Sequence, residues 1–403
     1  MSYLAKDKIN RGRQPEIDCL KAFCIVFMIL LHAYENCAEE PDGFYNVLVF
    51  IESFTGAGAF MICMGLGMRY SRSQSPKDYL SRGFALLTVS QFLNLLRDSL
   101  PCLIAFWCTG EKYFVANALL IFQTDILTFA GFAFFLIALL KQLKVPDKAI
   151  LGLGLAMNLA TFALSTVFRT TGNYLIDQFI GFFIITDAEA YFPLGSYFVF
   201  VAFGYALGGL YPRIKDKDRL STRVLLVCGP IAAVYYGLRL SVPFPLLPEF
   251  FSIERYVMTP ATDAVALCLM SVCVLAVFHK LLCLGRGEPP RFVKHLSGHI
   301  NQYYCISYVF FTPMGTVLMA LKGELMPGTI LPLLYGLFVL AACYFIIEWN
   351  ERRLHFGIVN LKGKTRTAVY AAIWIVSFAI VIYTYPQIEE YATFWNDYLA
   401  AGE

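Results

Sequence analysis

Long stretches of the chain consist almost entirely of apolar residues, and short clusters of polar and charged residues separate them. A helix needs about 20 such residues to cross the roughly 30 Å of hydrocarbon in a bilayer. The pattern predicts about eleven membrane-spanning helices, at 18–36, 45–68, 83–106, 117–140, 148–167, 192–211, 223–242, 256–280, 300–321, 329–348 and 367–386. The predicted fold class is therefore all-α, a polytopic helical bundle in the membrane.

Composition supports the same conclusion. Hydrophobic residues make up 58% of the 403 positions and charged residues 15%, whereas soluble domains have about 45–50% and about 25%. The basic amino terminus leads into the first span without a small-residue cleavage site, so we expect this span to be retained. The longest hydrophilic connection lies around 284–300, so a single transmembrane domain over 1–403 is predicted, with no separate soluble domain.

The distribution of basic residues predicts the orientation of the bundle. With a cytoplasmic amino terminus, most of the 32 Lys and Arg residues fall in inner connections, and the outer ones hold only Lys112, Arg169, Arg255 and Lys322. This asymmetry is typical of a membrane topology counted correctly. The net charge of +3 follows from the topology and suggests no nucleic-acid partner.

Cysteine and glycine patterns exclude several kinds of site. The twelve cysteines form no CxxC motif and no Cys/His set at metal-ligand spacing, so no metal site is predicted. Pairing among Cys37, Cys102 and Cys108, near the predicted outer face, is left open. The glycines inside spans lack the strand and lysine context of a phosphate loop. They predict close helix packing instead, at Gly56, Gly58, Gly65, Gly67, Gly152 and Gly154.

Ionisable residues inside spans are costly in hydrocarbon and usually face a cavity. The predicted topology places most of them in the outer half of the membrane, which predicts one polar cluster there. Taken alone, each can also be a structural ion pair or reach the headgroups. The outer set is His32, Glu35, Glu52, Arg97, Asp98, Asp125, Arg239 and Asp263.

The first span places two ionisable groups on one stripe. Lys21 and His32 are eleven residues apart, which puts them about 20° from alignment and about 16 Å apart along a helix axis. Asp18 and Glu35 lie close to the same stripe, and its middle is apolar. The stripe suits a tunnel that joins a cytoplasmic site to an outer one.

Histidine has an ordinary pKa of about 6.5 and can accept and return a proton near neutrality. Glu35, three residues further along, can orient the ring of His32 and stabilise its protonated form. The alternative is a histidine that is merely hydrogen-bonded at a helix end. The other four histidines lie in or beside inner basic connections, so only His32 is placed for chemistry at the outer face.

The spacing from Lys21 to His32 resembles the R/K-x10-H motif of the membrane acyltransferase-3 superfamily. In the second span, "AFMICMGLGMRYSR" is similar to its Phe-rich stretch that ends in Arg, and "KDYLSRGFALL" resembles the segment that follows. Met64 stands where the family often has Ser, and "GFALL" lacks a second arginine. The later "YFPLGSYFVFVAFGYALGG" resembles a motif of the related heparan-α-glucosaminide N-acetyltransferase-like branch.

This resemblance implies an acyltransferase in a cell membrane, expected to be a bacterial plasma membrane. It implies transfer of an acyl group, expected to be acetyl, from cytoplasmic acyl-CoA to an extracytoplasmic acceptor, expected to be a cell-surface carbohydrate, with no bound cofactor. His32 is then the base or the acyl carrier. Basic residues bind polyanionic ligands well, and those expected to bind CoA are Lys21, Arg69, Arg72 and Arg82. The residues expected at the acceptor or oxyanion site are Glu52, Arg97, Asp98, Asp125, Arg239 and Asp263.

Two other functions stay open. Buried charges at one depth also mark a proton-coupled transporter or flippase of a polar or lipid-linked substrate. The sequence shows neither an inverted repeat nor paired Gly/Pro-broken spans, which disfavours that alternative. A structural or sensory membrane protein is the third, and it leaves the outer charges without a purpose.

Overall fold

A computed structural model describes residues 3–10, 12–39, 43–71, 73–165, 167, 174–184, 190–241, 259–285 and 287–388. These residues form helices and their connections, and their β contacts are limited to two isolated bridges, Leu4 to Ile214 and Ala38 to Met326. The prediction of an all-α membrane bundle is confirmed.

The α-helices are α1 (Pro15–Cys37), α2 (Gly43–Thr55), α3 (Ala57–Tyr70), α4 (Pro76–Asn94), α5 (Leu100–Thr109), α6 (Lys112–Ala118), α7 (Ile126–Gln142), α8 (Asp147–Ser165), α9 (Tyr174–Phe183), α10 (Leu194–Leu210), α11 (Lys217–Ser241), α12 (Ala261–Leu284), α13 (Arg291–Gly298), α14 (Ile300–Lys322), α15 (Ile330–Trp349) and α16 (Gly363–Ile388). Two π-helical turns follow α4 and α15, at Leu95–Ser99 and Asn350–Leu354. Short 3₁₀ turns lie at Leu119–Phe122, Tyr211–Arg213 and Ile358–Asn360.

Within the described residues, nine helical stretches are long and apolar enough to cross a membrane, and each coincides with a predicted span. The span predicted at 83–106 is helical from Pro76 to Thr109, but it contains the buried pair Arg97 and Asp98. The span predicted at 117–140 corresponds to α7, which has 17 residues. The total of eleven spans and the cytoplasmic amino terminus remain predictions.

Two compact units make up the chain, each drawn from separate stretches of sequence. The first unit comprises Met1–Met28, Asn46–Gly83 and Thr124–Ile300, and the second comprises Ile29–Tyr45, Phe84–Gln123 and Asn301–Glu403. Neither unit is contiguous in sequence, so the prediction of a single domain over 1–403 stays a prediction.

In the first unit, α3 packs closely against α10 through glycines. A Cβ atom on Gly65 would lie 2.2 Å from the Val201 carbonyl oxygen, and one on Gly204 would lie 2.0 Å from that of Ile62. Since real side chains do not approach so closely, these positions require glycine. The packing prediction is confirmed at Gly65. It is wrong at Gly67, where a Cβ would meet nothing within 4 Å.

The other predicted packing glycines divide in the same way. Gly58 faces Leu267, and Gly154 faces Ala202 and Val199, so close packing is confirmed at both. It is wrong at Gly152, which has open space, and Gly56 instead lies in the break between α2 and α3.

In the second unit, the last turns of α1 contact α14 and α15 at two glycines. A Cβ on Gly315 of α14 would lie 2.5 Å from the Asn36 carbonyl oxygen, and one on Gly336 of α15 would lie 3.0 Å from the Ala33 Cβ. The amide of Met326 also donates a 2.7 Å hydrogen bond to the Cys37 carbonyl. The end of α1 that carries His32 is therefore held firmly.

Helix α4 begins with a reciprocal cap. The Ser75 hydroxyl accepts from the Asp78 amide, and the Asp78 carboxylate accepts from the Ser75 amide, each at 3.2 Å. Hydrogen bonds from the Ser73 and Ser75 side chains lower the pKa of the Asp78 carboxyl below its ordinary value. Such a capping box fixes where a helix starts.

The cysteines left open by the sequence are unpaired. Cys37, Cys102 and Cys108 all carry free thiols, the first two buried and the third exposed.

Candidate active site

Helix α1 runs without interruption from Pro15 to Cys37 and carries both Lys21 and His32, so the predicted stripe lies on one helix. At its start, Asp18 is bound on two sides, by the Arg13 guanidinium and by the Ser297 hydroxyl, each at 2.5 Å. Asp18 therefore anchors the beginning of the helix.

His32 lies in a buried polar cluster of the second unit. Its Nε2 atom is 3.8 Å from Glu35 Oε2 and 3.2 Å from the Tyr308 hydroxyl oxygen. The rings of His32 and Tyr308 are 4.6 Å apart between centroids. The other ring nitrogen, Nδ1, is fully buried and has no hydrogen-bond partner among the described residues. Nε2 of the imidazole is thus in contact with two side chains, whereas Nδ1 makes no hydrogen bond within the described residues.

Arg97 joins this cluster through Tyr308. Its guanidinium carbon lies 4.8 Å from the centre of the Tyr308 ring, within the range of a cation–π interaction. Its Nε donates to Asp98 Oδ2 at 2.7 Å, and its Nη2 donates to Gln123 Oε1 at 3.3 Å. Arg97 and Asp98 are each only 4% exposed, so a pair of opposite charges is buried beside the histidine.

A π-helical turn, Leu95–Ser99, presents Arg97 and Asp98. The turn is fastened on both sides: the Asn94 side-chain amide donates to the carbonyls of Ile121 and Gln123, and the Ser99 hydroxyl donates to that of Ala118. Single π turns inside α-helices occur frequently at functional sites. The π turn interrupts the regular α-helix of this apolar span, and it also sets the direction of the Arg97 and Asp98 side chains.

Glu52 and Asp263 line a partly open pocket in the first unit. Tyr197, Tyr235 and Tyr236 also line it, and the Tyr235 hydroxyl donates a hydrogen bond to Asp263. Glu52 lies beside the break between α2 and α3, where its carboxylate accepts from the Ala57 amide at 3.3 Å. Two carboxylates and the aromatic rings around them suit a polar ligand with apolar faces.

Asp125 and Arg239 were also predicted at the acceptor site. The Asp125 carboxylate accepts from the amides of Leu127 and Thr128 at 3.0 and 2.8 Å, so it caps the amino terminus of α7. The backbone of Arg239 belongs to α11, but its side chain lies outside the described residues.

The residues expected to bind the donor are spread over several elements of the first unit. Arg69 Nη2 lies 2.6 Å from Asp147 Oδ2, and its guanidinium also contacts the Tyr205 hydroxyl at 3.3 Å. Arg82 is exposed on α4, Lys21 is half-buried on α1, and Arg72 lies outside the described residues.

Asp218, His279 and Cys283 place one possible metal-ligand atom each within 4.8 Å of one another. The sequence pattern missed this trio because Asp218 comes from another helix. The Lys280 ammonium lies 2.5 Å from Asp218 Oδ1, so this carboxylate is already paired with a positive charge.

A scan against protein families matches residues 13–237, more than half of the chain, to the catalytic domain of heparan-α-glucosaminide N-acetyltransferase. The chain belongs to this family. No curated protein and no solved structure matches it. With its membrane-spanning helices, this member of the heparan-α-glucosaminide N-acetyltransferase family is a membrane acetyltransferase.

The matched segment of this family member includes most of the cluster around His32. It contains α1 with His32 and Glu35, and the π turn with Arg97 and Asp98. Tyr308 lies beyond it, on α14, and sequence reasoning did not single it out. A signal was present, because Tyr304, Tyr308 and Thr312 recur every four residues and so share one face of this span.

Proposed function

We propose that this acetyltransferase moves an acetyl group from cytoplasmic acetyl-CoA to an amine or hydroxyl of an extracytoplasmic carbohydrate, in a bacterial plasma membrane. The observation that carries the proposal is the cluster in which His32 contacts Glu35 and Tyr308 beside the buried Arg97–Asp98 pair. The family match supports the acetyl-transfer reaction. The sequence resemblance to the acyltransferase-3 superfamily supports transfer across a membrane.

His32 has two available roles in this reaction. As a general base it takes the proton of the acceptor, whose nitrogen or oxygen then attacks the thioester carbonyl while the carbon–sulfur bond breaks. As a nucleophile it first receives the acetyl group and then passes it to the acceptor. In both roles the proton lost by the acceptor ends on the sulfur of CoA, and Glu35 stabilises the positive charge that His32 carries in between.

The negative charge that develops on the thioester oxygen needs a positive partner. Arg97 is suited to this role because its guanidinium is buried and held in place by Asp98 and Gln123. A charge that is already oriented in a water-poor site stabilises a transition state more than the same charge in solvent does.

The substrates are assigned by chemistry. CoA carries several phosphate oxygens, for which Lys21, Arg69, Arg72 and Arg82 supply positive charge. The pocket of Glu52 and Asp263 is assigned to the carbohydrate acceptor, because carboxylates accept hydrogen bonds from sugar hydroxyls and aromatic rings cover the apolar faces of a sugar.

The experiment uses the purified chain in proteoliposomes, with radiolabelled acetyl-CoA on one side of the membrane and glucosamine on the other. Labelled product on the glucosamine side supports transfer across the membrane. N-acetylglucosamine, which offers only hydroxyls, serves as the matched acceptor and separates amine from hydroxyl acetylation. Movement of the sugar without any acetyl donor, and no labelled product, would instead support the transporter.

A further inference from the structure

We propose that Nδ1 is the reacting nitrogen of His32 and that Tyr308 is the positioning residue that fixes this choice. The inference rests on the proposed function for the reaction itself, but the assignment of the nitrogen rests on geometry alone. It concerns the second unit only, where His32, Glu35, Arg97 and Tyr308 all lie.

The two nitrogens of the His32 ring have different surroundings. Nε2 has two oxygen atoms beside it, Tyr308 Oη at 3.2 Å and Glu35 Oε2 at 3.8 Å. Nδ1 is buried and has no partner among the described residues. An N–H group placed on Nδ1 would be a buried donor without an acceptor, which is unfavourable. The proton of the neutral ring therefore belongs on Nε2, which donates to Tyr308, and the lone pair lies on Nδ1.

Tyr308 can orient the His32 ring because the Tyr308 ring is itself fixed in position. Arg97 covers it with a guanidinium 4.8 Å from the ring centre, and Asp98 and Gln123 fix that guanidinium in turn. On the same helix, the ring of Tyr304 packs against Tyr308 edge to face, with centroids 5.0 Å apart. The phenol oxygen thus has a defined position against which the imidazole is oriented.

The assignment gives one proton path for each role of His32. As a base, the Nδ1 lone pair takes the acceptor proton, the acceptor atom bonds to the carbonyl carbon, the carbon–sulfur bond breaks, and Nδ1 returns the proton to the thiolate. As a nucleophile, Nδ1 bonds to the carbonyl carbon and the thiolate leaves. The acceptor then displaces Nδ1 and releases its proton to the sulfur. Nε2 keeps its hydrogen bond to Tyr308 throughout both.

The first test is a spectroscopic one that needs neither donor nor acceptor. The full chain is labelled with ¹⁵N-histidine and placed in lipid nanodiscs, and the signals of His32 are identified by their loss in H32Q. We expect Nδ1 to resonate as an unprotonated imidazole nitrogen and Nε2 as an N–H nitrogen, and Y308F to mix the two tautomers. A wild-type protein with its proton on Nδ1 would overturn the assignment, whether or not acetyl transfer is found.

The second test is kinetic and uses a matched pair of variants. Y308F is expected to lower kcat by about 10- to 100-fold, the effect of losing one buried hydrogen bond to a reacting group, while KM for acetyl-CoA changes by less than about twofold. Y383F makes the same chemical change at a tyrosine of α16 that is 47% exposed, and it should keep the wild-type kcat. Wild-type turnover in Y308F would overturn the positioning role. If Y308F does not fold, the tautomer that NMR shows in the wild-type protein decides whether the assignment of Nδ1 is correct.

Discussion

The guanidinium of Arg97 lies over the ring of Tyr308, 4.8 Å from its centre, and the same Tyr308 contacts Nε2 of His32 at 3.2 Å. A buried positive charge therefore stands one side chain away from the histidine. Its ion-pair partner, Asp98, is the next residue in the π turn, so the pair forms between residues that are adjacent in sequence.

Replacing Arg97 should affect stability and activity separately. R97Q removes the positive charge that faces the buried Asp98 carboxylate, and breaking a buried ion pair costs about 3–5 kcal/mol, so the melting temperature should fall. Acetyl transfer should fall by about 100-fold, because the oxyanion loses a fixed charge. In R97Q/D98N the melting temperature should recover while the rate stays low. A double variant with the wild-type rate would contradict the catalytic role of Arg97.

The ion pair between Arg69 and Asp147 tests the proposed donor site. Their side chains are 2.6 Å apart, so part of the guanidinium is already engaged. If Arg69 binds a phosphate of CoA, R69Q should raise KM for acetyl-CoA about tenfold, and D147N should lower it because the guanidinium becomes free. R352Q, which removes an exposed arginine paired with Glu348, is the control. Steady-state kinetics that show equal KM values in all four proteins would remove Arg69 from the donor site.

Asp263 tests the acceptor pocket. D263N keeps the shape of the side chain but removes its charge, and the hydrogen bond from Tyr235 remains available. We expect KM for the sugar to rise about 5- to 20-fold, the effect of weakening one hydrogen bond to a charged group, with KM for acetyl-CoA unchanged. If the two KM values rise together, the pocket does not bind the acceptor alone.

Gly65 tests the packing of α3 against α10. G65A places a methyl group where a backbone oxygen lies 2.2 Å away, so the helices must separate, and we expect a loss of about 1–3 kcal/mol. G67A, two residues further along the same helix, meets open space and should be neutral or slightly stabilising. Thermal unfolding in detergent compares the two. Equal melting temperatures would show that this contact does not limit stability.

Hydropathy predicted most of this fold because a membrane imposes one simple requirement, about 20 apolar residues per helix. Hydropathy was least informative at Arg97 and Asp98, because this ion pair and its π turn interrupt the apolar pattern of the span. The closeness of His32 to Glu35 followed from their spacing along one helix. Tyr308 did not, because its contact with His32 joins residues 276 positions apart.

Similar residue types also acquired different surroundings that sequence could not separate. Asp98 faces an arginine, Asp125 caps a helix, and Asp263 lines a pocket, although all three were predicted from the cost of a carboxylate in hydrocarbon. The cost shows that each needs a partner. Which partner it has depends on tertiary packing, which one sequence does not specify.

The most direct test of the central claim is acetyl transfer by the purified chain with H32A. Release of CoA and mass spectrometry of the acetylated sugar are measured for the wild type, for H32A, and for H279A as a control histidine on α12. We expect H32A to give only the background rate, with normal folding and membrane insertion, and H279A to match the wild type. Undiminished acetyl transfer by H32A would contradict the account.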